Sequence, residues 1–121
     1  MHYVKELTVP AGTPSASPAS ETIELPAGIL QQLSVFFPPG CARMVFVAIY
    51  DGASQVFPKG AGSSYCEDAK EVSVNTFEMF DSETTYTIKG WAPSTNYQHK
   101  ITFTFEVKTA EEIAMSRSGY Y

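Results

Sequence analysis

Charged residues are scarce in this sequence of 121 residues. They make up 17% of it, and eight Lys and Arg against thirteen Asp and Glu leave a net charge of −5. No two basic residues are adjacent, whereas contacts to phosphates need clustered Lys or Arg. The composition therefore argues against nucleic acid as a partner. It also implies that uncharged polar side chains, or partner proteins, cover much of the surface.

Long apolar runs are missing as well. The longest, "MVFVAIY" at residues 44–50, falls far short of the ~20 residues that a membrane-spanning helix needs. Residues 1–9 lack the basic region and the continuous apolar core of a signal peptide. We therefore expect no membrane segment, and synthesis in a cytoplasm without export.

Residues for catalysis or metal binding are few, since the chain has two Cys and two His. The separation of Cys41 and Cys66 fits no zinc motif, so we expect free thiols near the core, with a disulfide as the alternative. His99 shares the inward side of its strand with Ile101 and Phe103, as a structural histidine would. No phosphate-binding loop or nucleophile elbow is present. We predict no cofactor and no enzymatic activity.

Acidic residues cluster in the middle of the chain, where a calcium site has to be considered because calcium prefers several oxygen ligands. No D-x-D-x-D-G loop accompanies them. The sequence therefore favours a solvated acidic segment without a metal. The residues concerned are Glu67, Asp68, Glu71, Glu78, Asp81 and Glu83.

Strand patterns dominate the rest. Alternating apolar residues between turn signals predict strands at residues 22–25, 29–37, 42–50, 54–57, 71–77, 84–91 and 97–107. The intervals lack the helical patterns that parallel crossovers require. The predicted fold is an all-β antiparallel sandwich, either immunoglobulin-like or jelly-roll-like.

Two of these strands and the residues after them carry additional information. Residues 42–50 are apolar on both faces, which indicates a central strand or one that supports an intermolecular contact. Residues 97–107 alternate most regularly, with Ile101, Phe103, Phe105 and Val107 inward. Beyond them, Thr109 and Glu112 form a capping-box pattern for a short helix.

The N-terminal part predicts an extended arm, because "PAGTPSASPAS" at residues 10–20 favours a polyproline-like path and "YVKELTV" before it can form a strand. We divide the chain into an arm (1–20), a sandwich body (21–108) and a tail (109–121). The arm is expected to dock on a sheet edge, in cis or in trans, and the body to fold without it. Docking in trans fits the two apolar faces of residues 42–50 and the low charge content. The predicted partner-binding residues are Tyr3, Val4, Leu7, Val9, Pro10, Pro14, Pro18, Tyr120 and Tyr121.

Aromatic residues near one turn suggest an alternative function. Trp91 and Tyr97 flank the "APSTN" turn and could stack on a sugar or contact a partner. The alternative hypothesis is therefore a carbohydrate-binding or host-attachment module. Packing of the two rings against each other is the structural explanation for the same pattern.

A series of segments resembles a family of virion proteins. These segments are a leading strand, a proline-rich stretch, "TIELPAGILQQLSVFFPPG", "QVFP" at residues 55–58 and "HKITFTFEV" from His99. They resemble small β-sandwich decoration or auxiliary capsid proteins of tailed bacteriophages, and the elements that carry the resemblance in the body cover residues 22–107. The resemblance implies a homo-oligomer, a trimer or dimer, that is assembled in the host cytoplasm. Its copies would bind the head surface and bridge neighbouring copies of the major capsid protein.

Overall fold

Eight β-strands make up most of the protein in the computed structural model, which describes residues 1–60, 62–109 and 111–112. The strands are β1 (His2–Val9), β2 (Ala19–Leu25), β3 (Gly28–Phe37), β4 (Phe46–Asp51), β5 (Ser54–Phe57), β6 (Lys70–Phe80), β7 (Thr84–Trp91) and β8 (His99–Thr109). In this part of the chain, no helix has the length and apolar character needed to cross a bilayer.

The strands form two four-stranded sheets. Sheet A has the order β1-β8-β3-β6, and sheet B has the order β2-β7-β4-β5. Every pair of neighbouring strands is antiparallel. The predicted all-β antiparallel sandwich is confirmed.

The pairing also identifies the topology. The pairs β1–β8, β2–β7, β3–β6 and β4–β5 are those of one long hairpin whose tip is the turn between Asp51 and Ser54. The hairpin is wrapped so that alternate pairs lie in opposite sheets. This is the arrangement of an eight-stranded jelly roll, one of the two topologies that the sequence left open.

The core lies between the sheets and follows the predicted alternation. On β8, Ile101, Phe103, Phe105 and Val107 are fully buried. They meet the inward residues of the neighbouring β3 strand, where Leu33 pairs with Phe105. The other fully buried side chains include Leu25, Leu30, Val35, Phe37, Val47, Ile49 and Ile88. Every second residue of each strand points inward. Removing these apolar side chains from water stabilises the packing of the two sheets.

Strand β4 is central in sheet B, as its two apolar faces indicate, but it begins later than predicted. Ala42 and Arg43 have φ angles of 50° and 59°, in the left-handed region that extended strands do not use. These residues therefore belong to the preceding loop, and the strand starts at Phe46. Val47, Ala48 and Ile49 are buried.

Residues 1–20 do not form a separate arm. Residues His2–Val9 are strand β1, which pairs along its whole length with β8 of the same chain. Leu7 and Val9 are buried in the core, so docking occurs in cis, and we now expect the body to depend on this segment for folding. The boundary at residue 20 also moves, because β2 already begins at Ala19.

Gly90 on β7 provides the space into which β1 packs. A Cβ atom at this position would lie 2.8 Å from Val9 Cγ2 and 2.9 Å from Leu7 Cδ2, closer than carbon atoms normally approach. The missing side chain therefore lets an edge strand of sheet A pack closely against sheet B.

The predicted capping box forms at the end of β8. The Thr109 amide donates to Glu112 Oε1 at 3.2 Å, and the Glu112 amide donates to Thr109 Oγ1 at 3.3 Å. The backbone hydrogen bond from Thr109 lowers the pKa of the Glu112 carboxyl, and the Met1 ammonium 3.5 Å away acts in the same direction. Residues 113–121, with Tyr120 and Tyr121, lie outside the described part of the chain.

Tyr86 makes the stability of the fold decrease with pH in the alkaline range. Its ring packs against Phe57, Phe80 and Phe105. Burial raises the pKa of its hydroxyl, and the charges of Glu78 and Asp51 raise it further. The folded state thus favours the neutral phenol, whereas the unfolded state ionises near pH ~10. This contribution to stability is complete below about pH 10 and is lost as the pH rises above it.

We therefore expect the Tyr86→Phe variant to match the wild type near neutral pH and to lose less stability in alkali. Above the phenol's unfolded pKa, the wild-type free energy of unfolding should fall more steeply by up to about 1.4 kcal/mol per pH unit. Urea unfolding of both proteins across a pH series measures the difference. Parallel curves above pH ~10 would contradict the assignment.

Candidate interaction surfaces

The long connections gather at one end of the sandwich, called here the long-loop end. It consists of residues 10–18, 38–45, 58–60 with 62–69, and 92–98, which link the strands there. The connections at the opposite end have only two or three residues each. Loops held on a rigid sandwich are a common location for binding residues, so the long-loop end is a candidate interaction surface.

The proline-rich segment is the first of these connections, and hydrogen bonds hold it against the loop between β7 and β8. Thr13 Oγ1 donates to the Pro10 carbonyl at 2.6 Å. The Ala92 amide donates to the Thr13 carbonyl at 2.9 Å, and the Gly12 amide donates to the buried Thr95 hydroxyl at 3.4 Å. Pro10 and Pro14 are exposed and Pro18 is half-buried. The segment therefore carries the chain from sheet A to sheet B.

Asp68 joins two further loops. Its Oδ1 accepts the amides of Gly40 and Ala42, each at 3.0 Å, an arrangement typical of a backbone nest that binds an anion. His99 Nε2 lies 3.1 Å from the Gly40 carbonyl, which gives this half-buried histidine a structural contact. Its buried Nδ1 has no hydrogen-bond partner among the described residues, so the expected structural role is met at one ring nitrogen. The loops at this end are thus tied to one another and to β8.

The two thiols differ in accessibility. Cys41 and Cys66 are both unpaired; Cys41 is buried and Cys66 is half-buried. Burial raises the pKa of the Cys41 thiol, and the nearby Asp68 carboxylate raises it further. Because the thiolate is the reactive form, Cys41 is protected both by its burial and by its charge environment.

A thiol reagent should therefore modify Cys66 in the native protein and reach Cys41 only after unfolding. Mass spectrometry of the labelled protein should show one modification under native conditions and two in denaturant. The Cys66→Ser variant is the control, because its native form should remain unlabelled. Rapid native labelling of that variant would contradict the buried placement of Cys41.

Large apolar side chains are exposed mainly on the outer face of sheet A, the side that points away from the core. Val4 on β1 is 59% exposed, and Phe36 on β3 is 41% exposed. On β6, Phe77 and Met79 reach 68% and 69%. Exposed apolar groups on one sheet are typical of surfaces that contact other molecules.

The centre of this face is polar but uncharged. Val4 pairs with Thr104 on β8, which pairs with Ser34 on β3, which in turn pairs with Ser73 on β6. Interface cores are depleted of charged residues, and this row of four residues, one from each strand, contains no charge. The adjacent row, which contains Phe36, has Glu6 on β1 and Glu71 on β6, so charges flank the uncharged row.

Aromatic residues on the outer face of sheet B are covered by their own neighbours. Trp91 stacks on Phe46, with ring centroids 6.1 Å apart and an interplanar angle of 18°. Lys89 lies 4.6 Å from the ring centroid of Tyr50. Among the described residues, sheet B has no large apolar side chain on its strands as exposed as those of sheet A.

The predicted pair Trp91 and Tyr97 is separated in its contacts. Trp91 is half-buried against Phe46, whereas Tyr97, in the loop after β7, is 77% exposed. The two rings therefore do not pack against each other, which was the structural explanation for the pattern. Tyr97 remains available to a ligand or partner at the long-loop end.

The N-terminal residues predicted to bind a partner divide between the two sides of β1. Leu7 and Val9 face the core, and Tyr3 is half-buried with its hydroxyl donating to Met1 Sδ at 3.0 Å. Only Val4 presents an apolar side chain outward. The alternation in "YVKELTV" predicts which side chains point inward and which point outward, provided that the strand is known to lie at the edge of sheet A.

Pockets and metal-ligand groups are absent from the part of the chain that the structure describes. No pocket is found there. No group of three or more His, Cys, Asp or Glu is placed to hold a metal ion. The candidate sites are accordingly the sheet A face and the long-loop end.

Comparison with known proteins identifies solved structures that are similar to this chain. No protein-family model matches the sequence, and no curated protein is significantly similar to it. A chain of the cyanophage Pam1 capsid asymmetric unit is similar, with a TM-score of 0.51 and 14% identity over 86% of this chain and 83% of that one. A chain of tomato aspermy virus has a TM-score of 0.51 and 10% identity over 86% and 75%.

The likeness is one of fold. Chains from a phage capsid and from a plant virus share the β-sandwich architecture over most of their lengths. A mannan-binding module of Man5C is less similar, with a TM-score of 0.43 and 15% identity over 86% of this chain and 81% of that one. At these identities the shared fold does not transfer a function.

Proposed function

We propose that this chain is a non-enzymatic structural protein of virions, a capsid decoration protein that binds the head surface of a tailed phage. Its partners would be the major capsid protein and neighbouring copies of itself, in particles assembled in the host cytoplasm. The observation that carries the proposal is the outer face of sheet A, with its exposed apolar residues and uncharged centre. The capsid chains that share the fold add support.

The chemistry of this face suits a repeated contact on a shell. Val4 and Phe36 would be buried against the capsid, and each buried apolar side chain contributes roughly 1.5–3 kcal/mol when fully covered. The Thr and Ser residues between them are able to hydrogen-bond without the desolvation cost of a charge. Contacts of modest strength become strong together when linked subunits bind at several points.

A binding assay with empty heads tests the proposal. Heads assembled from the major capsid protein of the same genome are mixed with the purified chain and sedimented. The wild type should co-sediment with the heads. The double variant Val4→Ser, Phe36→Ser should lose at least about tenfold in affinity, because two apolar contacts are removed.

The matched control removes two exposed apolar side chains elsewhere. Met44 and Tyr97 lie in loops at the long-loop end, so the double variant Met44→Ser, Tyr97→Ser should bind as the wild type does. Binding lost only in this control would move the contact to the long-loop end. A wild type that does not bind heads at all would refute the decoration function.

A carbohydrate-binding or host-attachment module remains the second candidate. The observation in its favour is the exposed ring of Tyr97, close in sequence to the half-buried Trp91, since aromatic side chains offer flat apolar area next to polar groups. Trp91→Ala and Tyr97→Ala should then abolish binding on a glycan array. An array without a signal for the wild type would exclude this candidate.

A further inference from the structure

The four edge strands of the sandwich differ in their protection against pairing with another chain. Edge strands are usually guarded by charges, by inward-pointing charged residues, by short length or by proline. β1 carries Lys5 on its inward side, which forms an ion pair of 3.8 Å with Glu21 on β2. β5 has only four residues and is followed by Pro58. On β2, Glu21, the partner of Lys5, lies on the same side as the buried Ile23 and Leu25, so three of the four edges carry a recognised protection.

The remaining edge, β6, carries one charge on its inward side, Glu78, which lies near one end of the strand and 3.7 Å from Lys59. With eleven residues, it shares the greatest strand length with β8, and it contains no proline. Its central residues 72–77, "VSVNTF", carry no charge. Exposed and half-buried side chains alternate along it from Glu71 to Phe80. Its inner neighbour is β3, and no other described strand pairs with it, so one side of its backbone is open for hydrogen bonding.

We propose that β6 pairs with β6 of a second copy of this chain, antiparallel and about a two-fold axis at Val74. The two sheets A would then join into one continuous sheet. Edge-to-edge addition supplies backbone hydrogen bonds and a symmetric contact, the arrangement of an isologous dimer. The position of the axis follows from the charges at the two ends of the strand.

With the axis at Val74, Lys70 of one copy faces Glu78 of the other, and the symmetry forms this pair twice. Glu78, which lies 3.7 Å from Lys59 in its own chain, would then contact two lysines. Facing residues of opposite charge stabilise an antiparallel pair, whereas facing like charges destabilise it. Moving the axis half a residue along the strand would set Glu71 against Glu78, two like charges. Moving it to Asn75 would leave Lys70 opposite Phe80. The charges thus favour one register of a self-pair.

Charge reversal tests this register. Light scattering over a concentration series should show the wild type as a dimer that dissociates on dilution. Lys70→Glu or Glu78→Lys alone places like charges together at two points and should weaken dimerisation about tenfold. The double variant Lys70→Glu, Glu78→Lys restores both pairs with reversed sign and should regain the wild-type dissociation constant. Circular dichroism monitors the fold of each variant.

Cross-linking provides a second measurement that does not depend on charge. In a Cys66→Ser background, Val74→Cys places two thiols opposite each other at the axis, within the Cα separation of a disulfide. Oxidation should give a covalent dimer. Thr104→Cys, on the central strand β8, is the matched control and should give no covalent dimer.

Two results would overturn the proposed pairing. A wild type that is monomeric at all concentrations, with no cross-link through position 74, overturns the proposal. A dimer indifferent to both charge reversals also overturns it, because the axis then lies elsewhere. The pairing is independent of the decoration function: failure to bind heads leaves the dimer intact, and a monomer that binds heads leaves the decoration function intact.

Discussion

Deleting residues 1–9 should abolish cooperative folding of the chain. The deletion removes Leu7 and Val9 from the core, and burial of two such side chains contributes about 3–6 kcal/mol. It also leaves β8 without its partner on one side. Because small domains are stable by only about 5–15 kcal/mol, the remaining stability would be marginal. Circular dichroism and urea unfolding of the truncated protein measure the loss.

Two point variants on the same strand separate the contributions of its two faces. Leu7→Ala should cost about 2–5 kcal/mol, because it creates a cavity in the core. Val4→Ala, which changes an outward side chain, should alter stability by no more than about 0.5 kcal/mol. A truncated protein with the wild-type urea midpoint would instead make β1 a dispensable segment.

Gly28→Ala is expected to be among the most damaging single substitutions. A Cβ atom on Gly28 would lie within van der Waals overlap of the Lys108 carbonyl carbon, 3.0 Å away, and closer still to its oxygen. Gly28 also has a φ of 153°. Since these atoms are backbone atoms of β8, the strands would have to separate. We expect a loss of about 3–5 kcal/mol in the free energy of unfolding.

Gly12→Ala is the matched control. Gly12 also has a positive φ, 72°, but its Cβ would meet nothing within 4 Å. The cost should therefore be only the conformational one, about 1–2 kcal/mol. Chemical denaturation of both variants measures the difference. Equal losses would mean that backbone conformation, and not the approach of β3 to β8, determines the effect at Gly28.

Local alternation was sufficient to predict much of the body. The limits of β5 and β7 and the inward residues of β8 follow from period-two patterns, because one face of each strand is removed from water. The start of β4 was missed, since nothing in "CARM" signals that Ala42 and Arg43 adopt positive φ. The Ala42 amide donates to Asp68, a residue distant in sequence, and local sequence does not reveal such a contact.

The role of the N-terminus depends on a long-range pairing. The pattern of "YVKELTV" predicts a strand, but the partner β8 lies about a hundred residues away, and the proline-rich stretch between β1 and β2 looked like a domain boundary. The exposed end of β6 was missed for a simpler reason. The alternation continues through "FEMF" to Phe80, and following it would have placed Phe77 and Met79 on the outer face.

The pairing of the first strand with the last has a consequence for the time course of folding. β1 emerges from the ribosome first, but it acquires its partner only when β8 has been made. At about 5–20 residues per second, the intervening chain takes roughly 5–20 s to synthesise. During that interval, Leu7 and Val9 have no core to enter. Completion of the fold is therefore expected only after β8 has left the ribosome, in the slow regime of proteins dominated by distant contacts.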